Sequence, residues 1–97
     1  MILQKVKVAG VTYKVKEQEV VLNDDGHKLH GQCNYQQLII SLGKGFPRQK
    51  SEQTFFHEVL HAISEEYNVN LTEDQVIQLT TGIYQVYQDN YKGRKLL

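Results

Sequence analysis

Through the first part of the chain, apolar residues alternate with lysines. Val6 and Val8, then Val11, Tyr13 and Val15, fall on one parity, while Lys5, Lys7, Lys14 and Lys16 fall on the other. A period of two marks half-buried strands. Ala9-Gly10 separates the two runs and predicts a hairpin turn, since glycine accepts positive φ. Asn23-Asp24-Asp25-Gly26 has the composition of a turn. Two more extended regions follow, Leu29 to Tyr35 and Gln37 to Leu42, the second closed by Gly43-Lys44-Gly45-Phe46-Pro47.

Beyond Pro47 the period changes to 3.6. Phe56, Val59, Leu60, Ile63 and Tyr67 form a stripe down one helix face. Ser51 is the expected N-cap with Glu52 in the first turn, and Asn68 the expected stop, because asparagine tolerates the left-handed conformation used at helix ends. Thr72-Glu73-Asp74-Gln75 matches a capping box. The stripe Val76, Leu79, Thr80, Ile83, Tyr87 then predicts a second helix to about Tyr91, with a frayed tail after Gly93. The expected fold is α+β: a small N-terminal antiparallel β-sheet of three to four strands packed on two C-terminal helices. At 97 residues there is room for one domain, 1–97, with a sheet part over 1–45 and a two-helix part over 50–91.

The first helix contains His57-Glu58-Val59-Leu60-His61. Histidines at i and i+4 stand about 40° apart around the axis and about 6 Å along it, so both imidazoles can reach one metal ion. Glu58 projects beside them, placed to take a proton from a metal-bound water without being a ligand. Chance produces the pattern in roughly one such chain in a hundred, so its context matters. At about 100° per residue from Phe56 the apolar stripe spans about 300° to 40°, with His57 near 100° and His61 near 140°. Both sit at the edge of the buried face, where a half-sheltered metal belongs.

A catalytic zinc usually takes three protein ligands and keeps a fourth position for water, so one ligand is missing. Glu65 lies about 12 Å along the axis from His57, too far to share an ion. On the second helix Glu73 falls about 60° from the stripe centre, on the inward flank, whereas Asp74 near 160° points away. The connection Asn68 to Leu71 is long enough to double back toward His61. Glu73 is the chosen third ligand, against the alternative that an acidic first-turn residue simply favours the helix dipole. His27 and His30, flanking the Asp24-Asp25-Gly26 turn, read as surface residues.

Composition narrows the partners. Eleven basic against eleven acidic residues give a net charge of zero, and no basic block exists to grip phosphates by counterion release, so no nucleic-acid partner is expected. The charged stretches from Lys44 to Lys50 and at Arg94-Lys95 read as solvated loop and tail. Cys33 is the only cysteine and reads as a small buried hydrophobe, with no disulfide and no oxidising compartment implied. Charges interrupt the N-terminus and no long apolar run occurs, so no membrane association and a cytoplasmic location are expected.

The run from His57 to Ile63, with Thr72-Glu73-Asp74-Gln75-Val76 and the later Gly82 to Asn90, resembles the gluzincin zinc metallopeptidases. In particular it resembles their compact single-domain members, the minigluzincins, and small phage and prophage proteins of that type. The resemblance covers roughly residues 50 to 91 and, in outline, the β-rich front half. It implies zinc held by His57, His61 and Glu73, with Glu58 as general base, hydrolysing bonds in a peptide or protein substrate. The residues around Glu73 depart from the Asn-Glu-x-x-Ser form that many gluzincins carry. The resemblance also implies a substrate bound as an added strand along a sheet edge, for which Gly31 to Tyr35 or Gln37 to Leu42 is the candidate. No oxyanion stabiliser is evident: Tyr84 lies about 16 Å along the second helix from Glu73, so it reads as packing, as do Tyr87 and Tyr91, leaving Tyr35 on the edge strand. A second reading follows from the short chain: a zinc-containing, catalytically weak or inactive interaction module of phage or mobile-element origin, binding a protein partner along a sheet edge.

Overall fold

A computed structural model describes residues 4–91. The strands are β1 (Lys5–Val8), β2 (Val11–Gln18), β3 (Val21–Leu22), β4 (Lys28–Leu29), β5 (Gly31–Asn34) and β6 (Ile39–Gly43). Helices α1 (Arg48–Glu66) and α2 (Glu73–Val86) follow, and a π-helical turn, Tyr87–Tyr91, extends α2. The α+β class, with a four-stranded sheet and two C-terminal helices, is as the periodicities predict. The expected frayed tail after Gly93 lies outside the described residues.

The β1–β2 hairpin turns at Ala9 (φ 53°) and Gly10 (φ 79°), the two positive φ values of a type I′ turn. The sheet order is β1-β2-β6-β5, with β3 and β4 pairing separately. The sheet departs from the antiparallel one expected. β1–β2 and β5–β6 are antiparallel, but the central pair β2–β6 is parallel, with Lys14 opposite Ile39 and Gln18 opposite Gly43, so the sheet is mixed. Parallel neighbours need a crossover of a dozen or more residues, and the excursion through β3, β4 and β5 supplies it. Alternation along a strand carries no information on the direction of its neighbour.

One face of the sheet packs on α1. Val8, Tyr13, Ile40, Leu42 and Ala62 form the buried core, flanked by Val6, Val11, Val15, Cys33, Leu38, Phe55, Val59 and Ile63. The phenol of Tyr13 donates to Glu66 Oε2 at 2.7 Å and ties β2 to the end of α1. The N-terminus of α1 differs from expectation: Pro47 is the cap, without a side-chain hydrogen bond, and Ser51 lies a turn inside. Proline's locked φ, here −56°, already suits a helix entry. Glu52 is consequently buried rather than at the exposed start, and accepts from Tyr84 Oη at 2.9 Å and Arg48 Nε at 3.4 Å.

At the other end, Asn68 takes the left-handed conformation (φ 59°) just past the end of α1, and the Thr72/Gln75 capping box forms in full. Tyr67, expected on the α1 stripe, is the C-cap and is exposed. The α2 stripe is likewise half covered. Val76 and Thr80 are buried, whereas Leu79 and Ile83 are exposed, because α2 packs chiefly on α1 and one helix covers only part of its apolar face. Among the described residues no helix is long and apolar enough to cross a membrane.

Candidate metal centre

Helix α1 carries His57, Glu58 and His61 on the side that meets α2 and the edge strand β5. The chain then reverses within a few residues. Leu71 N–H donates to Ser64 Oγ at 2.9 Å and Val69 N–H to Ser64 O at 3.0 Å, with Asn68 and Asn70 both at positive φ. That tight reversal sets Glu73, the first residue of α2, against the two histidines. Glu73 Oε1 lies 2.9 Å from His61 Nε2, Glu73 Oε2 lies 3.2 Å from His57 Nε2, and the two Nε2 atoms stand 3.2 Å apart. Ligand atoms around a tetrahedral ion with bonds of about 2.0–2.1 Å are about 3.3 Å from one another, a spacing that the two Nε2 atoms meet. His57, His61 and Glu73 are thus close enough to hold a metal ion. Asp74 and Glu65 are exposed and are not part of the cluster.

The donor chemistry fits as well. Burial lowers the His57 pKa, and His61 pushes the same way, while the Glu73 carboxylate opposes them. His57 is therefore read as a neutral imidazole near pH 7, the form that ligates, and its contact with Glu73 as a hydrogen bond rather than an ion pair.

Glu58 lies deep in the same cleft and is buried. Burial first, then the charge of Glu73, pushes its carboxyl up to about 7. A missing side chain makes that burial possible. A Cβ on Gly31 would stand 2.7 Å from Thr54 Cγ2, 2.9 Å from Ser41 O and 3.4 Å from Glu58 Cγ, so only glycine lets β5 lie this close to α1. Composition gives no hint of that contact.

The cleft encloses about 590 Å³ between β5, α1 and α2. Besides the cluster and Glu58 it is lined by Tyr35, Cys33, Gln53, Thr54, Ile77 and Thr80, among others. Burial pushes the Tyr35 phenol up to about 12, helped by Cys33, Glu65, Glu58 and Glu73, so it stays a neutral donor. Cys33 packs against the core as a half-buried thiol, held at about 12 chiefly by burial, which makes it inert, as its sequence context suggests. His30 lines the cleft wall but stacks on Phe46, with centroids 4.5 Å apart, and His27 is exposed in its turn; neither joins the cluster. Tyr84 and Tyr87 pack on Phe56, in the packing role expected of them.

No family model, curated protein or solved structure matches this chain.

Proposed function

We propose that the chain is a zinc-dependent metallopeptidase, with His57, His61 and Glu73 as zinc ligands and Glu58 as general base. One observation carries this reading: three ligand-type side chains from two helices converge at metal-ligand spacing beside a buried carboxyl in an open cleft. A zinc ion there would supply Lewis acidity, lowering the pKa of water toward about 7 and polarising a carbonyl.

The chain's own groups account for the rest. Glu58, more basic than an exposed glutamate, takes the proton of the attacking water and returns it to the leaving amine nitrogen. Tyr35 donates its phenolic proton in a hydrogen bond to the carbonyl oxygen as negative charge develops there. Strand β5 pairs with β6 on one side only, and its outer edge offers backbone groups to an extended peptide.

A second reading has its own support. Leu79, Ile83 and Val86 form an exposed apolar flank on α2, as a catalytically weak module that binds a protein partner would show. The purified chain should take up one zinc and cleave a peptide library, and Glu58→Gln should keep the zinc while cleavage falls by roughly 10²–10⁴-fold. Failure to take up zinc would end both readings. Zinc uptake without any cleavage would favour the binding module.

A further inference from the structure

The face of the sheet turned away from α1 has a uniform character that the linear sequence conceals. Lys5 and Lys14 are directly opposite in the β1–β2 ladder, and Lys7 and Lys16 lie two residues along on the same face. All four are exposed. Alternation with valines keeps them from forming a run in sequence, and the hairpin assembles them into one block. Neighbours along a strand are about 6.6–6.8 Å apart, and the direct cross-strand pair is about 5 Å apart.

Among the described residues none on this face neutralises the block. The same side of β2, β6 and β5 presents Thr12, Gln18, Ser41, Gln32 and Asn34, with no acidic residue. Among the described residues none of the four lysines has an ion-pair partner, and the ion-paired lysine is Lys44, with Glu19. Like charges placed directly opposite destabilise a ladder. A neutral chain has therefore gathered four of its eleven basic residues on one flat surface at some cost to the hairpin.

We propose that this sheet face binds the phosphate backbone of a duplex nucleic acid. A duplex carries one negative charge per about 1.7 Å of its axis, dense enough to meet such a block, and threonine, serine, glutamine and asparagine, which surround the lysines, are common phosphate and sugar contacts. Among the described residues of the paired strands this face has no aromatic side chain on which unpaired bases could stack, which disfavours single strands. Among the described residues of the paired strands Ile39 is the one large apolar residue on this face, too little to anchor a protein interface or insert into lipid. Binding reads the backbone, so duplex DNA and duplex RNA of equal length bind within a few-fold of each other.

The test is fluorescence anisotropy with the whole chain and labelled 20-base-pair DNA and RNA duplexes, between 25 and 200 mM salt. Four phosphate contacts predict a log K against log salt slope of about −3.6 on DNA, so that doubling the salt weakens binding roughly tenfold. Each of Lys5→Gln, Lys7→Gln, Lys14→Gln and Lys16→Gln should make the slope shallower by about one, while Lys28→Gln, on β4, leaves it unchanged. Circular dichroism of each variant separates lost charge from lost fold. Chelator and Glu58→Gln should not alter binding, which separates this surface from the metal cleft. No binding at 25 mM salt, a slope unchanged in the quadruple variant, or equal affinity for single strands, poly-glutamate or anionic vesicles would overturn the proposal.

Discussion

Without Glu73 the two Nε2 atoms of His57 and His61, 3.2 Å apart, would be left as a two-coordinate site, too few for a stable zinc centre. Asp74, one residue on, is exposed and outside the cluster. Glu73→Ala is thus expected to weaken zinc binding by more than the roughly 10–100-fold that outer partners of metal ligands are worth, and Asp74→Ala to change it little. Competition against a chromogenic chelator measures both, and the reverse ranking would remove Glu73 from the ligand set. The depressed His57 pKa contributes to the pH response. An imidazole must be deprotonated to ligate, and a lowered pKa keeps it so to more acidic pH than a free histidine, near 6.5. The part of the zinc affinity that depends on a deprotonated His57 should accordingly persist to more acidic pH than a free histidine would allow and be lost as the pH falls further, which zinc titration across pH measures. At this scale the proximity of the three side chains was legible: the i, i+4 spacing named both histidines, and the helical angle separated Glu73, which joins them, from Asp74, which does not. The burial of Glu58 was not, because it depends on Gly31, a residue from another element whose role is the absence of an atom.

Between elements, two glycines of the same composition should respond oppositely to one change. Gly31→Ala places a methyl 2.7 Å from Thr54 Cγ2 and 2.9 Å from the backbone oxygen of Ser41, so β5 must move off α1, at about 1–3 kcal/mol. Gly82, inside α2, has nothing within 4 Å of its would-be Cβ, so Gly82→Ala should stabilise by about 0.8–1 kcal/mol through helix propensity alone. Urea denaturation of the two variants measures both signs. The helix pair carries a pH-sensitive contact as well. Tyr84, held to Glu52 at 2.9 Å, has its phenol pushed up to about 12, chiefly by burial and then by that hydrogen bond. A folded pKa above the ordinary 10 means the native state holds this proton more tightly. The contribution is complete below pH 10 and disappears as pH rises toward 12. Wild type should therefore exceed Tyr84→Phe in thermal stability at pH 9, with the gap closing by pH 12. Element types were readable from their periods, but the parallel β2–β6 pair and the uncovered half of the α2 face were not. Both depend on what packs alongside, which a period along one strand or helix does not encode.

For the whole molecule the open question is what holds α2 in place, since it packs chiefly on α1 and leaves Leu79 and Ile83 exposed. One end of the helix pair is tied by Tyr84 to Glu52, and the other by Glu73 against His57 and His61. A zinc ion at the second tie would replace hydrogen bonds with coordination bonds between the two helices, and a domain this small has little stability to spare. A ligand that binds only the native state at about 100 times its Kd adds about 2.7 kcal/mol. In a chain of this size that corresponds to a rise in melting temperature of roughly 10–20 °C. The gain should also be uneven. Amide exchange should slow most in the first turns of α2 and the Asn68–Leu71 reversal, which the ion would fasten to α1, and least in the sheet, whose hydrogen bonds do not involve it. Calorimetry and hydrogen exchange with zinc and with chelator test this together, with Glu73→Ala as the comparison that should lose both effects. A uniform slowing across sheet and helices, or an undiminished rise in Glu73→Ala, would mean that zinc acts elsewhere on the molecule and that the helix junction is not its site.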